Sequence, residues 1–246
     1  MTKPLDDDLV KKKAGNIKNM FSSIAGFYDF LNRLLSLKLD QSWRRFAVEV
    51  SNVSSEYRIL DVCSGTGDLA IAYSRMLKGQ GKVIGSDFCH EMLEHGYYKV
   101  KKFNLGGKIH FTEADTLNLP FQNNQFHIAS VAFGIRNVAD LEKGIKEMKR
   151  VVVPGGKVVI LEFSQPTHPF FRGLYYFYFK TILPLIGNLV SKSEDNAYTY
   201  LPDSVLSFPD RYSLKTKLEH CGLKDVKIYS RTFGIVAIHV GTKADN

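Results

Sequence analysis

The residues best suited to chemistry in this sequence form an acidic, glycine-rich run, Asp61-Val62-Cys63-Ser64-Gly65-Thr66-Gly67-Asp68, followed at a distance by Asp87, Asp115 and Thr116. Glycines let a chain turn sharply and let a ligand approach the main chain, and a helix opening there offers unpaired N–H donors. Asp87 closes an apolar run 22 residues after Gly65, where a carboxylate can accept from ribose hydroxyls. A nucleotide-like ligand is the expectation. Gly65-x-Gly67-x-x-Ala70 also satisfies the dinucleotide fingerprint, so NAD is the rival. Asp61, four residues before Gly65, favours a ligand that brings a cation to the loop over one that brings a diphosphate. Asp115 can accept from an adenine amino group, and Thr66 lies within the turn itself.

The elements that position these residues follow from apolar spacing. Strands are predicted at 57–63, 82–87, 108–112, 126–133 and 156–163, with helices at 67–77, 89–101 and 139–152 between them. Such alternation predicts a doubly wound, mostly parallel α/β sheet. A helix over 211–221, stopped by Gly222, precedes two strands at 224–230 and 234–242 with no helix between them. These add an antiparallel C-terminal hairpin and bring the sheet to seven strands. Residues 1–19 are polar and read as a mobile arm. Residues 20–50 read as a helical cap, with one helix over 20–39 and a second capped by Asp40. Residues 164–210 read as a lid of helix and loop, and all of this forms one domain over 1–246.

Composition narrows the classes. The 246 residues are 44% hydrophobic and 24% charged, which excludes fibrous and disordered readings. The 33 basic and 25 acidic residues leave +8, which favours an anionic partner. Cys63, Cys89 and Cys221 form no CxxC pair, so no metal site or disulfide framework is expected and a reducing cytoplasm fits. The N-terminus lacks the apolar core of a secretion signal, and the greasy stretch 174–190 is interrupted by Lys180, Pro184 and Asn188, short of a spanning helix.

Asp61 before the glycine loop, Asp115 after the third strand and the closing hairpin together resemble the class I methyltransferases that bind S-adenosylmethionine. Longer stretches are similar to the ubiquinone and menaquinone biosynthesis C-methyltransferase family. These are Tyr28-Asp29-Phe30-Leu31-Asn32-Arg33-Leu34-Leu35-Ser36 running to Trp43, and Arg150-Val151-Val152-Val153-Pro154-Gly155-Gly156 running to Leu161-Glu162-Phe163-Ser164. Met20–Ala25, Phe133–Val138 and Tyr200–Val205 extend the similarity to nearly everything after residue 18.

The resemblance implies S-adenosylmethionine as cofactor, held by Asp61, Gly65, Thr66, Gly67, Asp87, Asp115 and Thr116. It implies a polyprenylated quinol as substrate, either demethylmenaquinol or a methoxy-benzoquinol. Ala132 replaces a Ser of some members, which leaves only a backbone contact there. Ionising a quinol hydroxyl makes the adjacent ring carbon nucleophilic. Arg136, after the fourth strand, is the candidate to stabilise the oxyanion, with a structural ion pair as its alternative. A water, Asp29 or Tyr28 would take the proton.

Tyr28, Asn32, Asn137, Tyr178 and Tyr200 are the candidate substrate contacts. Tyr28 and Asp29 have fixing the lid as their alternative, and Asn137 has capping the helix near Ala139. His95 reads as surface. The aromatic run from Phe170 to Phe179, with Arg172 and Lys180, suits an isoprenoid tail and the membrane interface. The expected setting is therefore the cytoplasm, with peripheral contact at the inner face of the membrane and homo-oligomerisation both left open. The +8 charge and the basic stretch 99–108 leave an RNA-binding or RNA-methylating protein as a remoter alternative, but no Asn-Pro-Pro-Tyr-like segment for a flipped base is present and the aromatics cluster in the lid, so nucleic acid is not an expected partner.

Overall fold

The computed structural model describes residues 7–166, 168–178, 181 and 197–245. Apolar runs without alternation make strands buried on both faces, and these are the centre of the molecule: β1 (Arg58–Val62) and β4 (Phe126–Ala132). With β2 (Lys82–Asp87), β3 (Ile109–Glu113), β5 (Val152–Phe163), β6 (Leu223–Arg231) and β7 (Val236–Lys243) they form one sheet in the order β3-β2-β1-β4-β5-β7-β6. β3, β2, β1, β4 and β5 pair in parallel, and β7 runs antiparallel to both β5 and β6. The order reverses between β1 and β4, which opens a crevice at their carboxyl ends.

Helices cover both faces. Ile59, Ile128 and Val159 pack with Trp43 and Ala47 of α3 (Leu39–Val50), Leu69 and Tyr73 of α4 (Asp68–Ser74), and Leu93 and Val100 of α5 (His90–Lys102). Leu60, Ala129 and Ile160 face the other way, against Ile145 and Met148 of α6 (Leu141–Val151) and against Leu214 and Leu218, which lie in the helix Arg211–His220. Above the crevice lie α1 (Asp7–Ile24) and α2 (Tyr28–Leu35) on one side, and α7 (Pro169–Phe177) and α8 (Ala197–Ser207) on the other; the helix Arg211–His220 is α9.

Several sequence expectations are corrected. The polar arm is helical from Asp7, and Ile17 is buried, so the first helix starts well before Met20. The single helix expected over 20–39 is broken by a short 3-10 turn, Ala25–Phe27, and by left-handed Leu37 and Lys38. Asp40 does not cap α3. Its carboxylate accepts from Arg33 and Arg44 instead, because an ion pair outcompetes a neutral backbone donor. Pro154-Gly155-Gly156 does not delay β5, which begins at Val152. A register shift between Phe126↔Val152 and Ile128↔Lys157 absorbs the extra residues as a bulge. Asp140, and not Asn137, caps α6, accepting from the Lys143 amide at 3.0 Å. Phe179, Lys180, Pro184 and Asn188 of the expected lid lie outside the described residues.

Phe111 of β3 fills the space under the start of α4. Gly67 has φ +80° there, and a Cβ on it would stand 2.6 Å from Phe111 Cζ. Gly67→Ala is therefore expected to lower the unfolding free energy by about 1–3 kcal/mol, from left-handed strain and overpacking together, as read from urea denaturation.

Candidate active site

A cavity of about 510 Å³ occupies the crevice. Its floor is made by the turns that follow four parallel strands, contributing Cys63 and Gly65, Asp87 and Phe88, Ala114 to Leu117, and Ala132 to Gly134. Lys18, Phe21 and Tyr28 of the N-terminal helices form the opposite wall. The turns after β1 and β4 are pressed together: a Cβ on Gly134 would collide with Cys63 Cβ. Cys63 (φ +50°) and Phe133 (φ +60°) hold left-handed conformations that side chains rarely adopt. Strain of this kind costs about 1–3 kcal/mol per residue and collects at binding sites.

Asp87 is the polar group at the centre of the floor. Its Oδ2 accepts from the Gly65 amide at 2.8 Å and its Oδ1 from the Cys89 amide at 2.9 Å, which leaves lone pairs for hydroxyl donors from the cavity. Burial outweighs those backbone bonds and pushes its carboxyl up to about 6. Asp115 and Thr116 line the same cavity. Asp115 holds its own turn by accepting from the Leu117 amide at 2.9 Å, and Thr116 Oγ1 lies 3.3 Å from Cys63 Sγ.

Asp61 and Thr66 stand differently from their sequence reading. Asp61 is fully buried beneath the loop, off the cavity wall. Its Oδ2 accepts from Ser64 Oγ at 2.8 Å and from the Ala70 amide at 3.0 Å, so its direct role is to shape the turn. Its Oδ1 is buried without a hydrogen-bond partner, and burial pushes the carboxyl up to about 7. Thr66 Oγ1 donates to Asp29 Oδ1 at 2.5 Å and accepts from Lys99 Nζ at 3.1 Å.

Asp29 is accordingly a fastener and not an open base, since Lys99 Nζ donates to its Oδ2 at 2.7 Å. Lys99 also pairs with Asp68, Asp68 with Arg33 at 2.6 Å, Arg33 with Asp40, and Asp40 with Arg44 at 2.6 Å. Three acids and three bases thus bind α2 and α3 to the glycine loop and α5. The pairings of Lys99, Asp68 and Arg33 are not legible in the sequence because the partners are distant in the chain; Lys99 belongs to the basic stretch by composition, yet its side chain is turned inward.

On the far side, the Arg136 side chain is 7% exposed and donates through Nη1 to Glu162 Oε1 at 2.9 Å and to the Phe133 carbonyl, and through Nε to Ser204 Oγ at 3.3 Å. Tyr200 donates to Asn137 Oδ1 at 2.9 Å, and Asn137 lines the cavity. Tyr178 donates to the Leu35 carbonyl at 2.7 Å, joining α7 to α2 rather than entering the cavity. Tyr28 is raised chiefly by burial, with a hydrogen bond to Asn32 and the Arg136 charge opposing it. Glu162 escaped the sequence analysis, although a charged residue in so apolar a strand is the signal that could have found it.

The chain matches the model of the ubiE/COQ5 methyltransferase family over residues 9–243. It is 47% identical over 234 residues to the ubiquinone/menaquinone biosynthesis C-methyltransferase UbiE of Geobacter sp. (strain M21), covering 95% of this chain and 99% of that one. It is 40% identical over 233 residues to the demethylmenaquinone methyltransferase of Staphylococcus saprophyticus, covering 95% and 98%. Among solved structures, a SAM-dependent methyltransferase from Aquifex aeolicus shares the fold with a TM-score of 0.62 at 16% identity, over 87% of this chain and 96% of that one. Another, from Thermotoga maritima, has a TM-score of 0.65 at 16% identity, over 92% and 98%.

Asp61 binds a proton more tightly in the fold than in the unfolded chain, where a carboxyl titrates near 3.8. Between about pH 4 and 7 the native state therefore holds the extra proton, and this carboxyl's contribution to stability falls as pH rises. His239, pushed down to about 4 by burial, works in the opposite direction, so the effect is to be read as a difference. Asp61→Asn, a mimic of the protonated acid, should gain in melting temperature relative to the unsubstituted protein from pH 5 to pH 8. A difference constant across that range would contradict the assignment.

Proposed function

The chain belongs to the ubiE/COQ5 methyltransferase family, and from that premise we propose that it methylates a ring carbon of a polyprenylated quinol, with demethylmenaquinol as the first reading. The same reaction on 2-methoxy-6-polyprenyl-1,4-benzoquinol is the second reading, because the Geobacter relative carries both pathways in its name. The observation that carries the proposal is the cavity at the carboxyl edge of the sheet. Asp87 and Gly65 line it together with Asn137, and Arg136, between the lining residues Gly134 and Asn137 in the chain, is not in the lining but pairs with Glu162 at 2.9 Å.

The residues present fit S-adenosylmethionine, the methyl donor of this family. Asp87 suits its ribose and Asp115 its adenine. Asp61, beneath the loop, fixes the turn that presents the Gly65 backbone to the cavity. When bound, the cofactor supplies an electrophilic methyl group on a sulfonium. The chain's own part is to position two reactants, exclude water and hold charge. Phe133, Trp43 and Phe163 pack ring to ring at 4.8–6.5 Å beside the cavity and keep that end dry. Arg136, buried among them, brings a guanidinium to the side on which a quinol oxygen would ionise.

No helix among the described residues is long and apolar enough to cross a membrane. The apolar tail of the substrate nevertheless has a surface to enter from. Phe27, Phe30, Leu34 and Leu37 are exposed at spacings of three and four along α2 and its flanks, and Phe170, Leu174 and Phe177 do the same on α7. The bond from Tyr178 to Leu35 brings the ends of the two stripes together, with Lys38 and Arg172 exposed nearby in the chain. This surface lies on lipid at the inner face of the membrane, so that the quinol ring reaches the cavity while its tail stays in the bilayer.

Two measurements test these readings. Offered reduced demethylmenaquinone and the reduced methoxy-benzoquinone precursor in competition, the purified protein with S-adenosylmethionine should yield methylated naphthoquinol by mass spectrometry. Benzoquinol product alone would move the assignment to ubiquinone synthesis, and neither product would end the substrate proposal. At low salt the protein should sediment with anionic liposomes and lose most of that binding in Phe30→Ser/Phe170→Ser. Equal sedimentation with neutral and anionic vesicles would remove the electrostatic part of the argument.

A further inference from the structure

Glu162 is the penultimate residue of β5 and is 1% exposed. Its Oε1 accepts from Arg136 Nη1 at 2.9 Å and from the Phe163 amide at 2.9 Å. Its Oε2 is buried with no hydrogen-bond partner among the described residues. Leaving a buried polar atom unpaired costs about 1–3 kcal/mol, and more for a charged group, so this oxygen is a liability to the fold by itself. It stands at the carboxyl edge of the sheet, where substrates of doubly wound folds bind. The groups around the pair come from four other elements. Tyr175 on α7, Tyr200 on α8 and Cys63 after β1 feel the charge of Glu162, and Tyr28 on α2 feels that of Arg136.

We propose that Glu162 Oε2 is the proton acceptor for the hydroxyl of the quinol, and that Arg136 then holds the oxyanion so formed. This rests on the methyl-transfer reading above. The alternatives named by the sequence are poorer bases: Asp29 is occupied by Lys99 and Thr66, and Tyr28 offers only a neutral phenol. In the step, the quinol O–H bond breaks, the proton goes to Oε2 and the electron pair stays on oxygen. The ring carbon ortho to that oxygen then takes the methyl group as the methyl–sulfur bond breaks, with that pair remaining on sulfur. Loss of the ring C–H proton to water restores the aromatic ring, and Glu162 returns its proton to the oxygen.

The charge balance explains the pairing. Before transfer, Arg136 is neutralised by Glu162; after it, the guanidinium is free to neutralise the oxyanion, so no net charge is created in a dry site. Burial raises the Glu162 carboxyl, which brings it nearer to the hydroxyl it must deprotonate.

The test uses Glu162→Gln, which keeps a carbonyl oxygen for Arg136 but cannot accept a proton. The unsubstituted protein must first methylate reduced demethylmenaquinone; if it does not, the substrate reading has failed and not this one. Glu162→Gln should then lose about 100-fold or more in single-turnover rate, with S-adenosylmethionine affinity within threefold of normal. Its residual rate should rise tenfold per pH unit from 7 to 9, as hydroxide replaces the missing base. In the ternary complex with S-adenosylhomocysteine and reduced quinol, kept anaerobic, the unsubstituted protein should show quinolate absorbance and the variant should not. Glu162→Asp should recover at least a tenth of the rate. An unchanged rate and pH profile in Glu162→Gln would overturn the proposal. So would equal loss of cofactor affinity and fold in both variants, which would make Glu162 structural.

Discussion

The 2.8 Å hydrogen bond from the Gly65 amide to Asp87 is the interaction from which the rest of the site is built. It closes the turn after β1 onto the end of β2, so these two neighbouring strands finish in one rigid edge. The turn can reach Asp87 only by left-handed steps at Cys63, Gly65 and Gly67, and it is held from below by Asp61 through Ser64 and Ala70. The matching turn after β4 crosses so close that position 134 admits no side chain. Strain on both turns is offset by the packed sheet beneath them, where Leu60, Val62, Ala129 and Val131 are fully buried.

The cap is joined to this edge by charge. Asp29, Asp40 and Asp68 alternate with Arg33, Arg44 and Lys99 in a network that closes on Thr66 of the glycine loop. Charges so placed are costly to desolvate and are tolerated because each has an opposite partner. Against the cost of burial, the charges of Arg44, Lys99 and Arg33 hold the Asp68 carboxyl down at about 2. Beneath the same cap, Phe21 and Tyr28 pack on Ala25, Cys89 and Met92, an apolar contact that gives the cap its seat while the ion pairs give it its register.

Three carboxyls, Asp61, Asp87 and Glu162, lie in the last two residues of three parallel strands at this edge, and burial raises all three above their ordinary values. A cluster of shifted acids in a crevice is the electrostatic mark of a site rather than of a scaffold. Only Asp87 of the three lines the cavity; Asp61 lies beneath the glycine loop and Glu162 pairs with Arg136. The fold thus stores unfavourable desolvation at one edge, and ligands with positive or proton-donating groups relieve it.

Local sequence was enough to determine the layout of the sheet, the closing antiparallel strand, the glycine loop and the position of Asp87 and Asp115 at strand ends, while Thr116 was named only through the family resemblance. Those features depend on period, on turn chemistry and on strand ends, all of which a short window contains. Partnership was decided by the tertiary structure alone. Asp29 reads as a base until Lys99, seventy residues away, is seen to hold it. Arg136 reads as an oxyanion holder or an ion-pair partner until Glu162 is seen beside it, and Asp40 reads as a helix cap until Arg33 and Arg44 take its carboxylate. The early start of α1 escaped for the same reason: a polar stretch becomes helix when tertiary packing buries Ile17 and sets Lys18 against Glu113. Charges act through space over distances that chain spacing does not encode, so the sequence names the acids and bases and the fold assigns their work.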